Sequence, residues 1–180
     1  MISELHYKNF QKHIASNKLY RYFWEFWAIY SFVFFLVAFV FIYLFGGNDY
    51  DNWQFVLVQS AVAFFLARVV IITIINLFYK RERPYQKFSL NPITSNFLSF
   101  KTTRPNSFPS RHTLAYMAVA AVIVMYYPVI GAGLVVVSIL AGVGRIVLGY
   151  HWPSDVIVGA ILGYLVGYST VLFMMLWLFT

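Results

Sequence analysis

Long apolar runs occupy most of this chain, and they decide what it can fold into. They cover roughly 22–45, 53–79, 109–127 and 128–148, and a fifth opens at Pro153. Each is close to the ~20 residues a helix needs to cross the hydrocarbon core of a bilayer. In a chain of 180 residues, 61% hydrophobic and 11% charged, so much apolar surface cannot be hidden in a soluble core. The pattern predicts an all-α fold: a polytopic membrane helix bundle of about five transmembrane helices, in a single domain spanning 1–180. Residues 1–21 are polar and basic, and within them Tyr7, Phe10 and Ile14 share one helical face. An interfacial helix or a basic terminus therefore precedes the bundle at 22–180. No short cleavable signal comes before the first run, so no processing is expected. Trp24, Trp27, Trp53, Trp152 and Trp177 lie near span ends, as an aromatic belt requires.

The absence of Cys excludes disulfide and thiolate chemistry. A net charge of +7 favours anionic headgroups or anionic substrates. The charges are split among membrane-edge loops, which argues against nucleic acid as a partner. The expected partners are a membrane lipid substrate and the phospholipid bilayer.

Three polar strings interrupt the apolar pattern: Arg83-Pro84, then Pro109-Ser110-Arg111-His112, then Gly144-Arg145 with His151 and Asp155. Five spans put the N-terminus, the 80–108 loop and the 149–152 turn on one membrane face, so the strings meet there. Ionisable groups at a membrane edge are functional by default. Here they suit phosphoryl transfer, which needs positive charge around the phosphate oxygens, an in-line nucleophile and an acid for the leaving group. Arg83 and Arg145 each offer a planar fork to phosphate oxygens. Ser110 adds a hydroxyl at a helix start whose N–H groups favour an anion. Asp155, four residues after His151, can fix one imidazole nitrogen and leave the other free to attack. His112 can protonate the departing oxygen. Taken singly, Pro-Ser at a helix start is ordinary capping and an edge arginine is an ordinary anchor. The combination carries the argument.

The set resembles the type 2 phosphatidic acid phosphatase superfamily, whose pattern is Lys, six residues, Arg-Pro; then Pro-Ser-Gly-His; then Ser-Arg, five residues, His, three residues, Asp. This chain has Asn76, Arg83-Pro84, Pro109-Ser110-Arg111-His112, Gly144-Arg145, His151 and Asp155 at those spacings, and the likeness runs from about 53 to 168. The resemblance implies a phosphohistidine at His151, with His112 as acid and then as the base that activates water. It also implies no metal ion and no cofactor. Three positions depart from the pattern. Asn76 replaces a phosphate-binding Lys. Arg111 replaces Gly, and its guanidinium can meet a second phosphate. Gly144 replaces Ser, losing a hydroxyl while keeping an N–H. Arg81, Arg111 or Arg68 can supply the cation missing at Asn76. Arg68 lies well inside the second span, roughly 12 Å along the helix from Asn76, and a structural role is expected for it. Gly159, Gly163 and Gly167 recur every four residues and predict close helix packing within the chain.

Two spans before Arg83-Pro84 and a basic N-terminal segment resemble the bacterial undecaprenyl-diphosphate phosphatases. The expected activity is therefore hydrolysis of undecaprenyl diphosphate. The alternatives are a phosphatidate, phosphatidylglycerophosphate or lipid A phosphatase, or a non-catalytic lipid-binding or transport protein. Apart from Arg68, every Lys and Arg falls on the motif face, opposite Asp49 and Asp51. The positive-inside rule places that face in the cytoplasm. The resemblance favours the outer face of the plasma membrane. Cations that bind substrate should not count toward the rule, so the outer face is expected.

Overall fold

A computed structural model describes residues 4–45, 53–89 and 106–178. Most of the 80–108 loop, and Asp49 and Asp51, fall outside the described residues. Among the described residues every regular element is helical: α1 (Glu4–Ser16), α2 (Lys18–Tyr30), α3 (Phe32–Phe45), α4 (Trp53–Phe65), a π turn (Leu66–Ile71), α5 (Ile72–Phe78), α6 (Pro84–Lys87), α7 (Arg111–Tyr126), α8 (Pro128–Val147) and α9 (Pro153–Leu178).

Three helices are long and apolar enough to cross a bilayer: Trp53–Phe78, Pro128–Val147 and Pro153–Trp177. The first expected span differs from a single rod. It is two helices, α2 and α3, bent by 51° at the buried Ser31, and the pair satisfies the same criterion only as a unit. The third expected span, α7, is apolar but has 16 residues, short for a crossing.

α7 is the axis of the bundle and packs against α4, the π turn, α8 and α9. Its residues from Met117 to Ile123 are all buried, which explains why it is apolar on every face. The glycines of α9 make this possible. A methyl group on Gly163 would collide with the Leu114 carbonyl, and one on Gly167 with the Ala118 carbonyl. The stripe is thus a seam within the chain, as expected from its spacing.

The second span carries a register change that its sequence does not announce. Val56, Ala63 and Ala67 are buried, and the next buried position is Ile72, five residues on. A π turn bonds residues five apart and so shifts the buried face by one residue. Arg68 falls within it. Ahead of the bundle, α1 is a helix as expected, but its inward face is Tyr7, Gln11 and Ile14, while Phe10 is exposed. Gln11 donates to the Val147 carbonyl at 3.0 Å, so α1 is docked onto the end of α8.

Candidate active site

The ends of α5, α7, α8 and α9 converge, and the three polar strings meet there. The Ser110 amide, at the start of α7, donates to the Asp155 carbonyl at 2.9 Å. The chain turns from α8 into α9 through Gly149, whose φ of +81° is a left-handed conformation suited to glycine. The amides of Tyr150 and His151 both donate to the Arg145 carbonyl, at 2.9 and 3.3 Å. That winding fixes His151 beneath the end of α8, where it is buried.

His151 Nδ1 lies 2.8 Å from the Ser107 carbonyl and 3.6 Å from Asp155 Oδ2. Both neighbours are acceptors, so the ring proton belongs on Nδ1 and Nε2 carries the free lone pair. Asp155 faces the same nitrogen as the Ser107 carbonyl, and both favour its proton. The carboxylate oxygens have other partners as well. Oδ1 accepts from Arg81 at 2.7 Å, and Oδ2 accepts from the Trp152 amide at 2.9 Å. The second bond is the return half of a capping box at the start of α9. Burial, with Arg83 and Arg145 nearby, lowers His151 to about 4 against the opposing pull of Asp155, so the imidazole is neutral at pH 7.

Arg83 is buried just ahead of α6. Its guanidinium donates to the Tyr150 carbonyl at 2.9 Å and the Asn106 carbonyl at 3.3 Å, and its Nε has no partner. Arg145, in the last turn of α8, donates to the Ala28 carbonyl at 2.8 Å, and its Nε is likewise unpartnered. His112 sits in the first turn of α7, edge-on to Tyr116 at 6.1 Å between ring centres. Arg145, Arg68, His151 and Arg111 are all within electrostatic reach of it.

Ser110 is fully buried at the start of α7, and its hydroxyl lies 2.9 Å from that of Thr113. Asn76 and Arg111 sit at helix ends, Arg111 directly before His112. They line a cavity of about 330 Å³ with Lys80, Arg81, Glu82 and Asn106. Gly144 needs a correction. It lies inside α8, where helix geometry commits its amide to the carbonyl four residues back. A methyl group there would come within 2.9 Å of the Trp24 carbonyl. Its small size admits α2, and its N–H is not available to an anion.

Several residues that hold the site together were missed or misassigned from sequence. Asn106 Oδ1 accepts from the Arg81 amide at 2.9 Å. Its Nδ2 donates to the Tyr79 carbonyl at 2.8 Å and to Asn76 Oδ1. Trp152, expected in an aromatic belt, donates from its indole to the Glu82 carbonyl at 2.9 Å and carries the Arg81 guanidinium over its ring at 5.3 Å. Arg81 is the partner of Asp155 and Ser154, not a spare cation. An Asn two residues before Phe-Pro carries no signal in sequence that would have marked it.

Fold and site together define a multi-pass helical membrane protein with histidines and arginines gathered where its spans end. The chain belongs to the PAP2 superfamily, whose family model matches residues 56–178. It is 28% identical over 142 residues to an undecaprenyl-diphosphatase, BcrC, of Bacillus subtilis (strain 168), covering 79% of this chain and 67% of that one. It is 33% identical over 81 residues to a bacitracin transport permease protein, BcrC, of Bacillus licheniformis, covering 45% of this chain and 39% of that protein. The matched region thus spans well under half of one relative and about two thirds of the other. The fold is similar to the crystal structure of a transmembrane PAP2-type phosphatidylglycerolphosphate phosphatase from Bacillus subtilis, with a TM-score of 0.55 and 18% identity, over 93% of this chain and 83% of that one.

Proposed function

We propose that this protein is a lipid phosphatase that removes the terminal phosphate of a polyprenyl diphosphate, most closely undecaprenyl diphosphate, through a phosphohistidine at His151. The observation that carries the reading is the state of His151: its ring N–H is directed from Nδ1 to the Ser107 carbonyl, which leaves the Nε2 lone pair for attack, and Arg83 and Arg145 are within electrostatic reach of the ring. Nε2 attacks the terminal phosphorus and forms an N–P bond as the bond to the bridging oxygen breaks. His112 gives that oxygen a proton. Water then attacks the phosphohistidine and forms an O–P bond as the N–P bond breaks; His112 takes the water's proton, and inorganic phosphate leaves. Arg83 and Arg145 neutralise the transferred phosphoryl group, so the reaction as proposed needs no metal and no cofactor. Ser110 and the first turn of α7 complete the cradle.

In this reading α2–α3, Trp53–Phe78, α7, α8 and α9 are five crossings, α1 lies in the interface, and residues 1–180 act as one unit on the outer face of the plasma membrane. The name of the Bacillus subtilis relative favours the diphosphate, whereas the structural neighbour speaks for the fold alone. Phosphate release in detergent, from polyprenyl diphosphate, phosphatidate, phosphatidylglycerophosphate and lipid A in parallel, tests the choice. The polyprenyl diphosphate should have the highest kcat/KM. A preference for a glycerolipid monophosphate would overturn the substrate, and no release from any of them would overturn the enzyme. Because the chain lacks Cys, one cysteine placed at the exposed Leu19 reports the membrane side. An impermeant thiol reagent should label it in intact cells.

A further inference from the structure

Arg68 is the residue the site has not yet used. Among the described residues it makes no hydrogen bond and no ion pair, and its guanidinium carbon lies 6.0 Å from the centre of the Phe64 ring. An unbonded arginine within a bilayer-crossing helix is costly, and such residues mark substrate pathways. The structural role expected from sequence, bonding to carbonyls inside the bundle, is not what the geometry gives.

Two further observations give it a direction. The residue sits in the π turn Leu66–Ile71, a local distortion that recurs at functional sites, and this turn packs against α7, the helix carrying His112. Arg68 is within electrostatic reach of both His112 and Arg145. Its Cα is also deep. It lies ten residues before Phe78, roughly 15 Å from the helix end, whereas His112 is in the first turn of α7. Arg68 therefore lies on the membrane-interior side of the histidines. Lys80 and Arg111 lie on the other side, in the cavity at the helix ends.

That placement matters because a lipid diphosphate is not symmetric about the bond that breaks. The terminal phosphate faces His151. The bridging oxygen faces His112. The phosphate retained by the lipid lies beyond it, toward the tail and the bilayer interior. We propose that Arg68 binds this retained phosphate and makes the site selective for diphosphates over monophosphates. This rests on the lipid-phosphatase reading above. As the N–P bond forms at His151, the bridging oxygen leaves on the lipid monophosphate. It takes its proton from His112, and Arg68 neutralises the charge that group acquires. Arg111, expected from sequence to meet a second phosphate, lines the cavity at the helix ends.

The test compares a polyprenyl diphosphate with the polyprenyl monophosphate of the same chain length. Both substrates transfer a phosphoryl group to the same histidine, and only the first has a phosphate to offer Arg68. In Arg68→Gln, kcat/KM for the diphosphate should fall at least about 30-fold, the scale of losing one partner of a desolvated charge pair. The monophosphate value should change by less than about threefold, and it serves as the folding control. Arg68→Lys keeps the charge without the planar fork and should lose about three- to tenfold on the diphosphate alone. It stands in if Arg68→Gln cannot be purified folded. Equal losses on both substrates, or no loss on either, would overturn the inference while leaving the lipid-phosphatase reading intact. Wild-type protein inactive on both substrates would overturn that reading itself.

Discussion

His151 stands in a turn whose polar atoms are committed to one another, whereas Arg83, Arg145 and Arg68 keep donors in reserve. On the first side, the Ser107 carbonyl holds Nδ1, and the Asp155 carboxylate is divided between Arg81 and the Trp152 amide. The Trp152 indole ties the turn to the Glu82 carbonyl. On the second side, Arg145 and Arg83 each leave Nε without a partner, and Arg68 has no hydrogen bond at all among the described residues. The difference matches two chemical tasks. A nucleophile is useful when its tautomer and direction are fixed before substrate arrives. A phosphate cradle is useful when its donors are unspent, because buried donors with no partner gain most from an incoming anion.

The largest effects should come from breaking the committed side. His151→Ala removes the nucleophile and should lower kcat by about 10⁴ or more, the scale on which loss of a covalent catalytic group falls. An unchanged unfolding temperature in detergent would place the loss in chemistry. The same preparations should be insensitive to chelator and inhibited by vanadate, which mimics five-coordinate phosphorus. Activity lost in chelator and restored by a divalent ion would overturn the assignment of charge neutralisation to arginines. Arg81→Gln is the next step down. It strands the buried Asp155 carboxylate with the Trp152 amide as its one remaining partner among these bonds. We expect a loss of about 10- to 100-fold in kcat with a lower unfolding temperature, since an uncompensated buried charge is strongly destabilising. An unchanged rate would show that the Asp155–Arg81 pair does not support His151.

The two sides also differ in how far they could be read from sequence. Arg83, Ser110, His112, Arg145, His151 and Asp155 were legible because few charges interrupt long apolar runs, and the spacing of those few is specific. The helical class and the convergence of the span ends followed from the same pattern. The scaffold of the committed side was not legible. Asn106 and Ser107 act mainly through backbone carbonyls and a side-chain amide, and such bonds leave no periodicity. Trp152 looked like a belt residue because its position at a span end suits both roles. The 51° bend at Ser31 and the π turn around Arg68 depend on how α2 and α4 pack against α8 and α7. Hydropathy is blind to both, so five even spans became a bent pair, a short axial helix and three long ones.

A smaller effect separates the sides by pH. The unprotonated ring is the active form of His151, so kcat/KM should rise with pH through the value of about 4 at which it loses its proton. Arg83 is one of the cations holding that value down. Arg83→Gln should therefore move the acidic limb upward, toward the ordinary histidine value near 6.5, while also weakening phosphate binding. Comparing variant and wild type on one substrate cancels the ionisation of the phosphate itself. A limb that stays in place would mean that Arg83 does not hold down the titration of His151.

The subtlest test concerns Asn76, where the family pattern has a lysine. Its carboxamide oxygen accepts from Asn106, the residue that also holds the Arg81 amide and the Tyr79 carbonyl. A lysine at 76 cannot accept that bond. Asn76→Lys thus works in two directions. It adds a cation to the cavity that Arg111 also lines, and it loosens the loop that presents Arg81 to Asp155. Alone, the substitution should lower the unfolding temperature slightly and leave kcat/KM within about threefold, as the two effects oppose each other. In the background of Arg111→Gly, the added charge replaces one that has been removed, and the loosening is unchanged. Asn76→Lys should then raise kcat/KM. The double-mutant cycle should give a coupling of about 0.5–2 kcal/mol, within the range for residues sharing a site. Zero coupling would mean that Arg111 does not supply the cation lost at Asn76. The pattern's departures would then divide differently, with Asn76 serving the loop and Arg83 and Arg145 carrying the charge of the transferred phosphoryl group between them.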